Sequence, residues 1–138
     1  MEQTTQPPKP LDLRYEAVPA SVTAARRRAA EYAGDAGAEP EGVELAVAEA
    51  VANAVVHGFT DRPSGTIVLS ATLDAGSLVV SVTDDGSGMR PNPQRGGLGL
   101  GLALIGQLTS GFSVVHAEGG GTRLRMTFPI VAGEAGRA

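Results

Sequence analysis

The spacing of apolar and polar positions changes several times along this chain, and each change marks an element. Residues 11–18 alternate apolar and polar, the period of a half-buried strand. Pro19-Ala20-Ser21 opens a helix over 22–33, with Ser21 as the expected N-cap. Residues 34–39 read as a break. Pro40 then sits near the first turn of a second helix, where Glu41 and Glu44 suit the positive end of the dipole. That helix runs to about His57 and stops at Gly58. Residues 61–65 form a turn, and 66–73 and 78–83 are β-rich runs joined as a hairpin through Asp74-Ala75-Gly76-Ser77. Residues 84–96 are rich in Gly, Pro and Asn and predict a mobile loop. Residues 98–108 read as a helix entered through glycines, and 112–115 and 122–130 as two closing strands around Gly119-Gly120-Gly121. The order predicts an α+β two-layer sandwich, with three helices on one face of a mostly antiparallel mixed sheet. Residues 11–131 are expected to form the domain, 1–10 a polar, Pro-rich flexible leader, and 132–138 a frayed tail.

Composition narrows the classes. The 138 residues are 42% hydrophobic and 19% charged, which is globular composition in a chain long enough to bury a core. Net charge is −4, and Arg26-Arg27-Arg28 is the one basic cluster, so direct nucleic-acid binding is not expected. Those arginines read either as a solvated helix face or as a dock for an acidic partner. The chain has no cysteine, which excludes disulfides and thiolate metal sites and is compatible with a reducing cytoplasm. It carries no apolar run of membrane-spanning length and no signal-peptide core.

The chemistry concentrates in three places. Glu49, Asn53 and His57 recur every fourth residue in an otherwise apolar helix and so share one side of it. A carboxylate and an amide in such surroundings are costly unless something pairs with them. Asn53 offers a neutral oxygen of the kind Mg²⁺ accepts alongside phosphate and water, and Glu49 can take a proton from an attacking hydroxyl. The bland alternative is a polar pair tying the helix to a loop. His57, before a glycine, suits a cap or the helix dipole. Asp84-Asp85-Gly86-Ser87-Gly88 follows a strand; Asp84 can accept from an adenine amino group while Gly86 and Gly88 let backbone pass close to a flat ring. By itself that string is also a common turn. Asp85 either perturbs Asp84 or points to solvent, and solvent is the expectation. Gly97, Gly99 and Gly101 lead into a helix whose bare amides make an anion site. A dinucleotide-binding loop is excluded by context, since that motif follows a first strand in a βαβ unit. Thr122, after three glycines, reads either as a hydroxyl near the base or as an ordinary strand threonine.

Taken together and in this order, the motifs resemble those of the histidine-kinase-like (GHKL, Bergerat fold) ATPases over roughly residues 11–129. Glu49 and Asn53 match the N-box, Asp84 to Gly88 the Asp-x-Gly-x-Gly box, Gly97 to Gly101 the second glycine box, and Gly121-Thr122 the closing Gly-Thr. Within that family, Glu-Ala-Val-x-Asn-Ala-Val-Val-His-Gly and the single-domain size are most similar to the serine-kinase anti-sigma factors of the RsbW and SpoIIAB type.

The resemblance implies ATP or ADP with Mg²⁺ as cofactors, Glu49 as general base and Asn53 as the Mg²⁺ ligand. It implies Asp84 on the adenine amino group, Gly86 and Gly88 on the pocket floor, and Gly97, Gly99 and Gly101 on the phosphates. Leu102 would join the nucleotide site and Thr122 would lie beside the base. Residues 89–96 would form the ATP lid, stiffened by Pro91 and Pro93; within it Arg95 is a candidate of the residue chemistry alone, since a guanidinium can neutralise charge developing at the γ-phosphate. The implied activity is phosphoryl transfer to a Ser or Thr of a STAS-domain anti-sigma-factor antagonist, with a sigma factor as the alternative partner and a C2 homodimer as the assembly. A kinase of STAS proteins unconnected to a sigma factor, and a nucleotide-dependent binding module without transfer, are the alternatives.

Overall fold

A computed structural model describes residues 8–57, 65–85, 97–116 and 121–131. Five strands and three helices follow the expected order: β1 (Leu11–Glu16), α1 (Ala20–Ala36), α2 (Pro40–His57), β2 (Thr66–Asp74), β3 (Ser77–Asp84), α3 (Gly97–Leu108), β4 (Gly111–His116) and β5 (Thr122–Pro129). The strands form one sheet in the order β1-β2-β3-β5-β4, and every pairing is antiparallel, so the expected mixed sheet is wholly antiparallel among the described residues. The last strand therefore lies inside the sheet and β4 lies at its edge. The reading of 1–10 as a leader falls largely, and that of 132–138 as a tail wholly, outside the described residues.

Side-chain alternation decides which face is covered. Ile67, Leu69 and Ala71 of β2, Leu78, Val80 and Val82 of β3, and Leu124, Met126 and Phe128 of β5 are buried in one layer. Against it lie Ala25, Ala29 and Ala33 of α1, Val43, Ala46, Val47, Ala50, Val51 and Ala54 of α2, and Ile105 of α3. Burying each large aliphatic chain contributes about 1.5–3 kcal/mol, while the alanines let the helices approach closely. The helix α2 is flanked by α1 on one side and α3 on the other. This central position explains the buried apolar positions on both its flanks, while Leu45 and Val56 stay exposed. No helix among the described residues is long and apolar enough to cross a membrane.

The element ends differ from the sequence reading in instructive ways. Pro19, not Ser21, precedes the first turn of α1, and Ser21 Oγ donates instead to the Glu16 carbonyl at 2.6 Å, tying helix to strand. The expected break at 34–39 begins later, because α1 runs through Gly34 to Ala36. It closes with Gly37 left-handed (φ 92°), and the Gly37 and Ala38 amides both return to the Ala33 carbonyl at 2.9 Å. Glu39 caps α2: its carboxylate accepts from the Gly42 amide at 2.7 Å and the Glu41 amide at 3.3 Å. The β2–β3 hairpin turns through Ala75 (φ 53°) and Gly76 (φ 82°), the left-handed pair of a two-residue loop. In the arginine cluster, Arg26 pairs with Glu44 of α2 and Arg28 reaches Glu31 at 3.5 Å, while Arg27 is exposed.

Candidate functional site

Three elements converge at one end of the helical layer. The helix α2 presents Glu49 and Asn53 one turn apart on the side facing α3. How close α3 comes is set by Gly101: a Cβ there would lie 2.6 Å from both Glu49 Oε2 and Asn53 Nδ2. Asn53 is only 6% exposed, and its Nδ2 is fully buried without a hydrogen-bond partner among the described residues. An orphaned buried amide costs about 1–3 kcal/mol, which a helix does not carry without reason. Its two ends are interchangeable by rotation of the amide, so this corner offers an oxygen acceptor or an N–H donor to whatever enters.

Four glycines in α3 — Gly97, Gly99, Gly101 and Gly106 — cost about 1 kcal/mol each in helix propensity. The helix is held by burial of Ile105 and packing of Leu102 and Leu108 against the core. Its far end is tied down by Ser110, whose amide and hydroxyl both donate to the Thr127 carbonyl, at 2.8 and 3.0 Å. Because α3 begins at Gly97, the amides left without helical acceptors are those of its first turn, Gly97 and Gly99 among them. Gly101 lies beyond that turn, and its contribution to the site is the close approach to Glu49 and Asn53.

The second half of the site is built by the sheet. Asp84 ends β3 on the helix-facing side, 2% exposed, between Ile67 of β2 and Thr122 of β5, which is fully buried. The approach of β5 depends on Gly121 (φ 92°), where a Cβ would sit 2.3 Å from the Asp84 carbonyl oxygen. Asp85 is exposed, as the sequence suggested, yet it also braces the fold, because its Oδ1 accepts from the Thr66 amide at 2.9 Å. This holds the end of β3 in register just where Asp84 must point. Gly86, Gly88 and Arg95, and the side chain of His57, lie outside the described residues. One residue not foreseen is His116, whose Nδ1 lies 3.5 Å from Thr122 Oγ1. Only the strand register, not any motif, could have revealed it.

The chain is similar in sequence and fold to known proteins. A family model described as a histidine kinase-like ATPase domain matches residues 15–128. The anti-sigma F factor of Clostridium botulinum (strain Eklund 17B) is 29% identical over 97 residues, 61% of this chain and 66% of that protein. The blue-light-activated histidine kinase 2 of Erythrobacter litoralis is 34% identical over 95 residues, 64% of this chain and 27% of that protein. Among solved structures, the RsbU and RsbW domains of Rv1364c from Mycobacterium tuberculosis superpose with a TM-score of 0.70 at 28% identity, covering 89% of this chain and 33% of that one. The chain thus spans just under two thirds of the clostridial relative it matches, and a third of the mycobacterial chain.

Proposed function

Because this chain belongs to the histidine kinase-like ATPase domain family, we propose that its site binds ATP and ADP with Mg²⁺ and that the protein is an anti-sigma factor with Ser/Thr kinase activity. The observation that carries the reading is the pairing of two half-sites of opposite character. Asp84 and Thr122 offer buried polar groups for a base. Glu49, Asn53 and the first turn of α3 offer a carboxylate, an amide and open backbone N–H groups for a triphosphate.

In this reading Asp84 accepts from the adenine amino group, with the Thr122 hydroxyl beside it. The α3 amides, with Gly97 and Gly99 among them, hold phosphate oxygens, and Leu102 packs near them. Gly86 and Gly88 shape the pocket floor, and Arg95 neutralises charge developing at the γ-phosphate. The Asn53 side-chain oxygen is a hard donor that would suit Mg²⁺, which would take one or two protein ligands and offset phosphate charge. Glu49 orients and deprotonates the acceptor hydroxyl, and Gly101 keeps that carboxylate against the phosphate end of the groove.

The acceptor is a Ser or Thr on a STAS-domain anti-sigma-factor antagonist; the competing complex is with a sigma factor, in a cytoplasmic C2 homodimer. Two relatives motivate the partners: the clostridial protein is named an anti-sigma F factor, and the mycobacterial structure includes an RsbW domain. Calorimetric titration of ATP and ADP, with Mg²⁺ and with EDTA, tests the pocket. Binding that needs Mg²⁺ and weakens more than tenfold in Asp84→Asn is expected; no binding under any condition would end the reading. For the chemistry, Glu49→Gln is expected to retain nucleotide and lower phosphoryl transfer about 10²–10⁴-fold. Unchanged partner regulation in that variant would favour a binding module without transfer.

A further inference from the structure

The sheet has two open edges, and they are guarded differently. On β1 the positions turned away from the helices are Asp12, Arg14 and Glu16, all exposed and all charged. Charges along an edge keep foreign strands from pairing with it. The opposite edge, β4, reads Gly111-Phe112-Ser113-Val114-Val115-His116, with no proline, lysine, arginine or carboxylate. It is exposed along nearly its whole length, and Phe112 and Val115 are 40% and 54% open. Phe112 is the register partner of Met126 and stands on the helix-facing side, close to Gly106 of α3. Val115 is the partner of Arg123 and stands on the outward side. A strand laid along β4 would cover both and pair with the open backbone groups of the edge.

The charge beside this edge defines the occupant. Arg123 and Arg125 of β5 are the register partners of Val115 and Ser113, so all four share the outward face of the sheet. With Thr83 of β3, Val115 and both arginines line a hollow of about 260 Å³ on that face. Neither guanidinium has an ion pair or hydrogen bond among the described residues. Asp85, at the end of β3, is engaged by the Thr66 amide. Asp12 and Glu16 lie on β1, three strands from β5, a separation of about 14 Å. A second copy pairing β4 with β4 would bring only Gly111, Ser113 and Val115 to this face and leave the arginines without acids. We propose that β4 and the Arg123–Arg125 pair form a docking edge for an extended acidic segment of a partner protein, which adds a strand to the sheet. Its backbone pairs with β4. Its apolar side chains alternate toward Phe112 and Val114, and its carboxylates fall on the outward side, where glutamate and arginine meet across the short Ser113 side chain.

The probe is a short synthetic peptide alternating valine and glutamate, titrated into the protein and followed by hydrogen exchange. Binding that protects the amides of 111–116 is expected, and it should weaken as salt rises. Arg123→Gln/Arg125→Gln should weaken it about threefold or more, and Arg123→Glu/Arg125→Glu more than about tenfold. ADP affinity should be unchanged in both variants, so this surface and the nucleotide reading stand or fall separately. The same peptide with lysine for glutamate, or with N-methylated backbone amides, should not bind. Equal binding of the lysine peptide, or no loss in the charge-reversed variant, means that exposed apolar side chains alone recruit it and overturns the acidic assignment. Binding that survives N-methylation overturns strand pairing. No binding by the wild type overturns the surface altogether. So does a concentration-dependent dimer in sedimentation that Ser113→Lys dissolves and the peptide does not, since the edge then belongs to a second copy.

Discussion

Two glycines hold the site together by opposite means, and the same substitution should separate them. At Gly121 an added Cβ meets backbone, 2.3 Å from the Asp84 carbonyl oxygen, at a φ of 92° that alanine resists. Backbone cannot step aside, so Gly121→Ala should lose more than about 3 kcal/mol of stability, read by urea unfolding. At Gly101 the Cβ meets the far ends of two side chains, Glu49 and Asn53, which can swing away. Alanine also favours a helix by about 1 kcal/mol over glycine. Gly101→Ala should therefore stay within about 1 kcal/mol of the wild type in stability yet bind ADP more than tenfold more weakly, since the displaced groups are those proposed to face the phosphates. Neither distinction is visible in the sequence, where both positions are simply glycines in a motif. What the sequence did show was the residue types: Glu49 and Asn53 stood out as polar groups in an apolar run, Asp84 and Thr122 by the glycines beside them. His116 did not stand out, because only the strand register brings it opposite Thr122.

At the level of elements, periodicity located all eight, and the errors lie at their ends, where capping competes with propensity. Ser21 looked like a cap because serine commonly is one, but the Glu16 carbonyl captured its hydroxyl. The helix α1 passed through Gly34 because the left-handed Gly37 two residues beyond Asp35 gives a better closing geometry. Glu39 escaped notice as a cap because glutamate is a less usual one, and here a Pro at the first helical position leaves only the next two amides to satisfy. In the β2–β3 turn the local sequence disagrees with the conformation: Ala75 holds φ 53°, where Asn or Gly is preferred. Ala75→Asn should stabilise the protein by about 0.5–1 kcal/mol, raising the melting midpoint by a few degrees in calorimetry.

For the whole molecule, the pattern gave the layers but not the strand order, because register and crossover depend on which faces meet in three dimensions. The packing also sets a limit at alkaline pH. Tyr15 and Tyr32 lie against the core, and burial pushes both phenols above 10.0, with Arg28 pulling them partly back. A raised folded-state pKa means the native state resists ionisation that the unfolded chain accepts, so stability is intact below about pH 10 and declines as pH rises past it. Tyr32→Phe should make that decline shallower in denaturant titrations between about pH 9 and 11.

The position of β5 between β3 and β4 has a consequence for how the protein comes into being. A ribosome delivers β1 through β4 first, and β4 has no neighbour to pair with until Thr122–Pro129 has emerged. Until then β3 presents a long apolar edge, and Asp84 has no Thr122 opposite it. A translation product stopped before residue 122 is therefore expected to aggregate and to ignore ADP, which light scattering and calorimetry would check. The proposed competence to bind therefore waits on β5, so a copy that lacks this strand cannot compete for nucleotide with one that has it.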